Sequence, residues 1–598
     1  MYAKKWIFLF LGISLINSVH ARQTGQDIYK AQCAVCHDGT IKEAPRIEGL
    51  QLLSKEAIVK ALKSGVMKLQ GANLSEIEKE SVAAFISKIS PEPSKVLFGI
   101  CNQKTLIASK PSISSWGMGL TNSRFISSTG INAENVSKLK LKWAFAFPEA
   151  TRARSQPTIA GNTLFTSSPT GLVYALDIAT GCIRWTFQAD SEIRSAIVIG
   201  TDKNGLANTL FFGDFKANVY AFDLKTQTLL WKKRVDDHEV ATITGTLTLY
   251  GDKLYVPVSS TEIVSAMNPK YECCTFRGSV TALSVNNGDI VWKTYTAEGA
   301  KPQAKNTVGT QNFGPSGAPV WSSPTIDTKR KLLYIGTGEN YSRPSSSMSD
   351  AILAMSLATG QIKWVQQTVN SDAWNGACPG SPNCPENTGP DFDFGSPPIL
   401  VNGVGQPDLL LAGQKSGMVY AINPDNGEVI WQQRVGRGGV MGGIHWGMAS
   451  NGKTLFVPIN DRYAWPADSA KKALSGLYAV NISDGKILWS ALEKNRCEPN
   501  IKWVCGPGLS APITATPNLV FGGALDGLLQ AYSARDGKVL WAFDTNREFI
   551  SVNGVKGNGG GMDSSGSVVA VNQLFVNSGY AKFGEKAGNV LLCFEITP

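Results

Sequence analysis

Residues 175–185 read Ala-Leu-Asp-Ile-Ala-Thr-Gly-Cys-Ile-Arg-Trp, and this stretch decides the fold because it recurs along the chain. Each copy joins an apolar strand to a second strand through a turn of Asp, Asn, Thr or Gly type. The second strand carries a Trp, and one or two short β-rich runs precede the copy, so each repeat predicts four strands. The other complete copies carry Trp231, Trp292, Trp364, Trp431, Trp489 and Trp541.

Four-stranded repeats of this length are typical of the blades of a β-propeller, and two half-repeats complete the ring. Trp143 lies in a strand with no blade before it, whereas residues 567–596 supply blade strands with no Trp after them. Pairing the two halves leaves no exposed sheet edge. The sequence therefore predicts an all-β eight-bladed propeller over residues 136–598, in which each repeated Trp wedges between neighbouring blades.

A haem-attachment motif stands near the N-terminus. Residues 33–37 read Cys-Ala-Val-Cys-His, the spacing at which Cys33 and Cys36 bond the vinyl groups of a haem while His37 binds the iron. A thioredoxin-type redox pair is the alternative, but that motif accompanies a βαβ pattern, and the flanks here look helical. The motif therefore predicts covalently bound haem c.

The residues around this motif, 22–92, predict a small all-α class I cytochrome c domain. An apparent helix covers residues 54–64, and Ser75 is placed to cap a second helix. Met67 lies between the two helices and is the candidate second ligand of the haem iron, although a core-filling Met is the alternative. Residues 93–135, which contain several Pro, Ser and Gly, predict a connector to the propeller.

The first 21 residues have the pattern of a signal peptide, with Lys4 and Lys5, an apolar run and a small residue, Ala21, at the cleavage position. An uncleaved membrane anchor is the alternative, but the apolar run is short for a spanning helix. No later apolar run is long enough to span a membrane. We therefore expect a periplasmic protein with no membrane span after cleavage.

The 11 cysteines agree with an oxidising compartment. Outside the haem motif, three pairs are close enough in sequence to form local disulfides: Cys273 with Cys274, Cys378 with Cys384, and Cys497 with Cys505. Cys101, Cys182 and Cys593 remain. Because their number is odd, at least one thiol stays free, most simply as a small apolar residue in a core strand.

Composition excludes several classes of protein. Charged residues are 17% of the 598 and hydrophobic ones 43%, with 60 Gly, which is not the composition of a disordered, collagen-like or coiled-coil chain. The net charge of +10 is scattered without a basic block, so nucleic-acid binding is not expected. Only four His occur, which argues against a metal site built from several His.

The repeat and its Trp resemble those of eight-bladed quinoprotein alcohol dehydrogenases, which bind pyrroloquinoline quinone (PQQ). Three further motifs carry the resemblance: Glu-Cys-Cys-Thr-Phe-Arg-Gly at 272–278, Gly-Thr-Gly-Glu-Asn-Tyr at 336–341 and Asp-Ala-Trp-Asn at 372–375. With the N-terminal cytochrome c, the chain is most similar to the smaller group of cytochrome-type polyvinyl alcohol dehydrogenases. Outer-membrane assembly scaffolds share the blade repeat without a cofactor, so function must be argued from the site.

The resemblance implies a PQQ site in the propeller. Trp321 matches the Trp that stacks on PQQ, with an ordinary core Trp as the alternative. Asp372 matches the catalytic base, which takes the alcohol proton as hydride moves to the quinone. Other PQQ contacts are implied for Arg194, Thr244, Cys273, Cys274, Arg277, Lys415, His445 and Trp446. At position 445 the family has Asn, so that contact is a departure.

A hard cation next to the quinone is implied as well. Glu339 or Asn340 matches the position that usually supplies a ligand oxygen, and Glu262 is a better candidate than Glu272 for the acidic ligand. Lanthanide-using relatives have Asp two positions after the base, where this chain has Trp374. Ca²⁺ is therefore the predicted metal.

These features predict a quinohaemoprotein that oxidises a secondary alcohol, polyvinyl alcohol or a related compound, and passes electrons from PQQ to haem c. An external acceptor such as a soluble cytochrome c or a quinone would follow. Arg154 stands where methanol-oxidising relatives have Glu, and the vicinal Cys pair lies one blade later than theirs. Both departures point away from methanol. Sugars, polyethers or other alcohols are alternative substrates, and a scaffold with an electron-transfer appendage is the non-enzyme alternative.

Overall fold

The computed structural model describes residues 24–38, 44–51, 53–65, 67–87, 99–102, 109–403, 407–462, 471–498 and 504–597. The predicted signal peptide, residues 1–21, lies outside these ranges. Among the described helices, none combines the length and the apolar composition needed to cross a membrane.

Short helices build the N-terminal unit. Their bounds are Gly25–Ile28, Tyr29–Cys33 (a π-helical turn), Ala34–His37, Ile47–Leu50, Lys55–Lys63 and Glu76–Ile86. The two helices predicted from sequence are confirmed. The Ser54 hydroxyl accepts the Ala57 N–H at the start of one, and Ser75 forms a capping box with Glu78 at the start of the other. Ile28, Leu62 and Val82 lie in the core that these helices share.

Eight antiparallel sheets form the propeller, as predicted. In chain order their strands are Thr158–Ala160, Thr163–Ser167, Leu172–Asp177 and Ile183–Gln188 (blade 1); Val198–Thr201, Ala207–Gly213, Asn218–Asp223 and Thr228–Arg234 (blade 2); Ala241–Thr242 with Thr248–Tyr250, Lys253–Ser260, Ser279–Ser284 and Ile290–Tyr295 (blade 3); Thr325–Asp327, Leu332–Gly336, Ala351–Ser356 and Ile362–Gln367 (blade 4); Ile399–Val401, Leu409–Gly413, Met418–Ile422 and Val429–Arg434 (blade 5); Ala449–Ser450, Thr454–Ile459, Gly476–Asn481 and Ile487–Leu492 (blade 6); Thr514–Ala515, Leu519–Gly523, Leu528–Ser533 and Val539–Asp544 (blade 7); and Val568–Ala570, Gln573–Ser578, Val590–Ile596 and Leu139–Ala146 (blade 8).

Smaller elements decorate the ring. Strand Pro111–Ile113 of the connector adds to the edge of blade 1. The remaining described elements are the helices Val136–Lys138 and Glu262–Ser265 and the strand pairs Lys301–Lys305 with Gln311–Gly314, Ser316–Gly317 with Asn340–Ser342, and Glu548–Phe549 with Gly557–Asn558.

The ring closes by pairing the two ends of the propeller sequence. Strand Leu139–Ala146 runs antiparallel to strand Val590–Ile596, from Leu139 opposite Ile596 to Ala146 opposite Val590. The half-repeat with Trp143 therefore completes blade 8, as the sequence predicts. Covering this edge removes an unpaired strand that would otherwise be open to other chains.

The repeated Trp residues lie between neighbouring blades, as predicted. The Trp292 indole N–H donates to the Leu357 carbonyl of the next blade at 3.2 Å, and that of Trp364 donates to the Pro424 carbonyl at 3.1 Å. Most of the other repeated Trp residues make the same bond one blade on. Each such Trp contributes a large buried apolar surface and satisfies its polar atom.

A turn glycine of the following blade packs directly against the indole of Trp364. Gly427 has φ +81°, and a Cβ placed on it would lie 2.6 Å from Trp364 Cε3. Gly452 has φ +87°, but no atom lies within 4 Å of a Cβ placed there. Both sites strain any larger residue, yet only Gly427 adds a clash.

We expect Gly427→Ala to lower the free energy of unfolding by about 1–3 kcal/mol more than Gly452→Ala, because overpacking adds to a backbone strain that the two variants share. The difference is measured by urea unfolding of the two variants and the parent protein. Equal destabilisation would show that the Trp contact tolerates a methyl group and does not need glycine.

Four disulfides form among the described cysteines. They are Cys101–Cys182, Cys273–Cys274, Cys378–Cys384 and Cys497–Cys505. The three local pairs predicted from sequence are present. The fourth joins the connector to blade 1, and Cys593 remains as a free thiol buried in a strand of blade 8.

Candidate active site

The haem motif lies on two consecutive helical turns. Cys33 ends the π-helical turn and carries a free thiol, as does Cys36 in the helix Ala34–His37. His37 is buried, and its Nδ1 lies 2.6 Å from the Pro45 carbonyl oxygen. This bond orients the ring and leaves Nε2 for iron, as outer-shell partners of metal-bound His usually do. Burial lowers the pKa of His37, which favours the neutral ring that a metal needs.

Met67 is half-buried and packs against the same hydrophobic cluster as Cys33. This places the thioether in the core of the unit that carries the haem motif. Its role as second iron ligand remains a prediction.

An open cavity lies in the propeller. Four of the residues predicted to contact PQQ line it: Arg194, Thr244, Trp321 and Trp446. Trp116 of the connector and Arg154 join them. The cavity is thus walled by three indoles and two guanidinium groups, which suits a flat aromatic anion.

Arg194 is the cation most available to a ligand. Its guanidinium lies over the Trp446 ring, 4.0 Å from the ring centre, and has no ion-pair partner in the described part of the chain. Burial lowers its pKa to about 10, so it stays charged at neutral pH. Arg154, by contrast, is 2.5 Å from Glu192.

Two buried polar atoms beside the cavity make no hydrogen bond to the described residues. Trp321 Nε1 and Ser322 Oγ have no hydrogen-bond partner among the described residues. Buried polar atoms are normally satisfied, so these two fit a ligand with several acceptor oxygens. The residues that line the cavity therefore fit PQQ.

An acidic cluster adjoins the cavity. Oxygen atoms of Glu339, Asp391 and Asp393 lie within 4.8 Å of one another, and all three side chains are buried. Neither oxygen of Glu339 has a hydrogen-bond partner within the described residues. Burial, and then the charge of Asp393, raises the pKa of Glu339 well above its usual value. Carboxylates in this arrangement bind a hard cation or share a proton.

Lys415 lies against two of these carboxylates. Its Nζ is 3.1 Å from Asp391 Oδ1 and 2.6 Å from Asp393 Oδ2. Burial alone would lower the pKa of Lys415, but the charges of Asp391 and Asp393 outweigh burial and raise it. The ammonium group offsets only part of the negative charge of the cluster.

A single glycine separates the cluster from the cavity. A Cβ placed on Gly338 would lie 2.5 Å from Asp393 Oδ1 and 2.7 Å from Trp321 Nε1. Only glycine fits between these two side chains. The acidic cluster and the aromatic wall are therefore parts of one site.

Asp372 lies in a second layer behind this cluster. Its Oδ2 accepts the Phe392 N–H at 3.3 Å, and its Oδ1 has no hydrogen-bond partner among the described residues. Burial raises the pKa of Asp372 to about 6, with a further contribution from the charge of Asp393. Asp372, the residue predicted as base, thus supports the backbone between Asp391 and Asp393. Neither Asp372 nor any member of the acidic cluster is among the residues that line the cavity.

The other predicted metal ligands are engaged elsewhere. The Asn340 amide donates to the Ser316 carbonyl at 2.7 Å, and its oxygen accepts the Ser346 N–H at 2.7 Å. Glu262 accepts hydrogen bonds from three donors, the Tyr271 hydroxyl at 3.0 Å, the Thr275 N–H at 2.8 Å and the Phe276 N–H at 2.9 Å. Of the predicted ligands, only Glu339 belongs to the acidic cluster.

Three predicted PQQ contacts stand away from the cavity. Cys273 and Cys274 lie in a hydrophobic cluster with Phe276. The Arg277 guanidinium donates to the Ala297 carbonyl at 2.9 Å and lies over the Tyr295 ring. None of the three predicted residues lines the cavity.

His445 is buried beside the cavity wall. Its ring stacks on Trp446 with centroids 4.2 Å apart, and its Nδ1 lies 2.7 Å from Ser510 Oγ. Burial, and then the positive charges of Lys415 and Arg194, lowers the pKa of His445 well below its usual value. The ring is therefore neutral at physiological pH.

Both parts of the chain are similar to known proteins. A family model described as glucose/ethanol/alcohol dehydrogenase, beta-propeller domain, matches residues 114–447, and one described as cytochrome C oxidase, cbb3-type, subunit III, matches residues 20–86. The polyvinylalcohol dehydrogenase of a Pseudomonas species is 36% identical over 96% of this chain and 93% of its own length. The chain belongs to the PQQ-dependent quinohaemoprotein alcohol dehydrogenases. Its cofactors are PQQ and haem c, and its activity is alcohol dehydrogenation.

Further relatives agree with this family. The polyvinylalcohol dehydrogenase of Sphingopyxis sp. strain 113P3 is 32% identical over 96% of this chain and 92% of its own length. A solved quinohemoprotein alcohol dehydrogenase, ADHIIG from Pseudomonas putida HK5, superposes with a TM-score of 0.61 at 18% identity, covering 81% of this chain and 80% of that one. That likeness supports the propeller fold. A family model described as outer membrane protein assembly factor BamB matches residues 415–558, which lie within the shared blade repeat.

Proposed function

We propose that this quinohaemoprotein oxidises secondary alcohols, above all those of a polyvinyl alcohol chain, to ketones in the periplasm. Electrons pass from PQQ to haem c and then to a one-electron acceptor outside the protein, such as a soluble cytochrome c or a quinone. The observation that carries the proposal is the acidic cluster held by Lys415 directly beside the cavity of Trp321 and Arg194. The near full-length similarity to two polyvinylalcohol dehydrogenases supports the substrate.

The periplasmic location is part of this proposal. It is supported by the signal-peptide pattern of residues 1–21 and by the four disulfides, which persist in oxidising compartments.

We assign the base to Asp391, a change from the Asp372 that its sequence motif favours. Asp391 belongs to the acidic cluster and contacts Lys415, so its carboxylate lies among the charged side chains of the site. Asp372 lies behind it, linked through the Phe392 N–H. When bound, PQQ supplies the hydride acceptor. Asp391 takes the hydroxyl proton of the alcohol, and Lys415 holds the carboxylate in place.

The acidic cluster would hold a hard, oxygen-preferring cation through Glu339, Asp391 and Asp393. The sequence motif favours Ca²⁺ because Trp374 stands two positions after Asp372. With Asp391 as base, the residue two positions on is Asp393, which is the pattern of lanthanide-using relatives. Both Ca²⁺ and a trivalent lanthanide therefore need testing.

We expect the metal-free protein to bind one hard cation at this cluster and Glu339→Gln to weaken binding at least tenfold, because an uncharged ligand replaces a buried carboxylate. Calorimetric titrations with Ca²⁺ and with La³⁺ measure both affinities. Glu298→Gln, which changes an exposed carboxylate outside the cluster, is the control and should leave both affinities unchanged. Equal binding by the parent protein and Glu339→Gln would place the cation elsewhere.

A substrate panel tests the proposed function. The holoenzyme is incubated with polyvinyl alcohol, 2,4-pentanediol, a primary alcohol, a sugar and a polyether, and ketone or aldehyde formation is measured. We expect the secondary alcohols to react fastest. A clear preference for the sugar or the polyether would assign a different substrate to the same site, and no reaction with any of them would overturn the proposal.

A further inference from the structure

The cytochrome unit contacts a loop of the propeller, residues 580–588, here called the bridge loop. Gly49 of the helix Ile47–Leu50 lies at this contact. A Cβ placed on Gly49 would lie 3.1 Å from Ala587 Cβ and 3.9 Å from Ala581 Cβ. The absence of a side chain at Gly49 thus allows the helix to lie directly on the loop.

The same helix is joined to the haem ligand. The carbonyl of Pro45, two residues before the helix, accepts from His37 Nδ1 at 2.6 Å. Pro45 also lies near Gly49, because its Cβ is 3.8 Å from a Cβ placed on that glycine. Two residues, Gly49 and Pro45, therefore connect the bridge loop to the His of the haem motif. A second interdomain bond, from Ser54 Oγ to Glu149 Oε1 at 2.7 Å, holds the two units in this arrangement.

On its other side the bridge loop reaches the cavity through aromatic rings. Trp446 lines the cavity and stacks on His445, with ring centroids 4.2 Å apart. The His445 ring lies 6.5 Å from that of Phe583, which belongs to the bridge loop. Phe583 is in turn 6.0 Å from Tyr580. A continuous series of packed rings thus leads from the cavity to the loop on which the cytochrome rests.

The bridge loop is held rigidly by neighbouring parts of the propeller. Arg462 donates to the Phe583 carbonyl at 3.1 Å and to Glu585 Oε1 at 2.7 Å. The Val504 N–H donates to the Gly584 carbonyl at 2.7 Å, and the Gly588 N–H donates to the Thr151 carbonyl at 3.2 Å. Because several segments anchor it, the loop presents one fixed surface to the cytochrome.

We propose that the bridge loop is the electron-transfer contact of this enzyme. From the cavity, the route to the loop passes Trp446, His445 and Phe583. From the loop, the route to His37 passes Gly49 and Pro45. This inference rests on the proposed function. Oxidation of one alcohol to a ketone releases two electrons and two protons. The electrons reduce ferric haem to ferrous haem twice in succession, the external acceptor reoxidises the haem each time, and the protons pass to water.

The route is tested by separating alcohol oxidation from haem reduction. Gly49→Leu pushes the cytochrome helix off the bridge loop, whereas Phe583→Leu removes one aromatic ring and keeps most of the volume. Gly299→Leu is the matched control, because Gly299 is exposed with no atom within 4 Å of an added Cβ. Each variant is assayed twice, with a phenazine dye that accepts electrons from the quinone directly and by the anaerobic rate of haem reduction after mixing with a secondary alcohol.

We expect both variants to reduce their haem at least tenfold more slowly than the control while their dye-linked rates stay within twofold of it. The haem spectrum shows that the cytochrome unit of each variant is folded, and Phe583→Leu carries the test if Gly49→Leu does not fold. Unchanged haem reduction in Phe583→Leu would overturn the route. Absence of dye-linked alcohol oxidation in the parent protein would instead overturn the proposed function.

Discussion

Replacing Asp391 by Asn is expected to lower kcat for alcohol oxidation by about 10²–10⁴-fold, the usual contribution of a positioned general base. An amide cannot take the alcohol proton at neutral pH, although it fills the same space beside Lys415. The variant should still bind PQQ, since Asp391 does not line the cavity. Dye-linked turnover at saturating alcohol and cation, together with a PQQ titration, measures both properties.

The companion variant Asp372→Asn decides between the two candidate bases. Asp372 contacts the Phe392 N–H behind the cluster, so its loss should cost about 10–100-fold, as for a residue that orients others. If kcat falls by about 10²–10⁴-fold in Asp372→Asn while Asp391→Asn keeps most of its activity, the base is Asp372, as the sequence motif predicts.

We expect the double variant Cys33→Ala, Cys36→Ala, which lacks both thiols of the haem motif, to lose all reduction of the external acceptor. Without the covalent bonds the haem is not retained, so electrons have no path out of the propeller. Dye-linked alcohol oxidation should persist within a few-fold, because the cavity and acidic cluster lie in the propeller. Pyridine haemochrome spectra and parallel assays with cytochrome c and with the dye measure the separation.

Cys593→Ala is the control for this pair. Cys593 is a free thiol buried in blade 8, so its loss tests cysteine removal without touching the haem motif. Both assays should match those of the parent protein. Continued cytochrome c reduction by the haem-free double variant would show that the quinone passes electrons directly to the acceptor.

The architecture could be predicted from the sequence because its determinants are local and repeated. The strand–turn–strand motif that carries Trp185 is present in seven of the eight blades, and each copy has the same geometry, so one misjudged repeat does not change the predicted fold. The half-repeat around Trp143 indicated the ring closure that strand Leu139–Ala146 makes with Val590–Ile596. The haem motif is equally local, since Cys33, Cys36 and His37 lie on adjacent helical turns.

The acidic cluster could not be predicted because it depends on the path of a loop. Residues 376–390 separate the motif at Asp372 from Asp391, and sequence alone does not show that the chain returns to the cavity after this insertion. The sequence feature that could have indicated the cluster is the pair of carboxylates in Asp391-Phe392-Asp393, shortly before the first strand of blade 5. Alternate residues there place both carboxylates beside Glu339.

The roles that the resemblance implies for several other residues also depend on distant contacts, and they stay predictions. Glu262 and Asn340 have suitable residue types, but the folded chain uses them to satisfy its own backbone. Cys273 and Cys274 are next to each other in sequence, yet the hydrophobic cluster that holds them was not apparent from the motif.

The most direct test of the account is the visible spectrum of the oxidised, haem-loaded protein, recorded anaerobically after adding PQQ, the cation and a secondary alcohol. The account predicts that the ferrous haem bands appear only when all three additions are present. A haem that stays ferric in the complete mixture, although PQQ is bound, would contradict it.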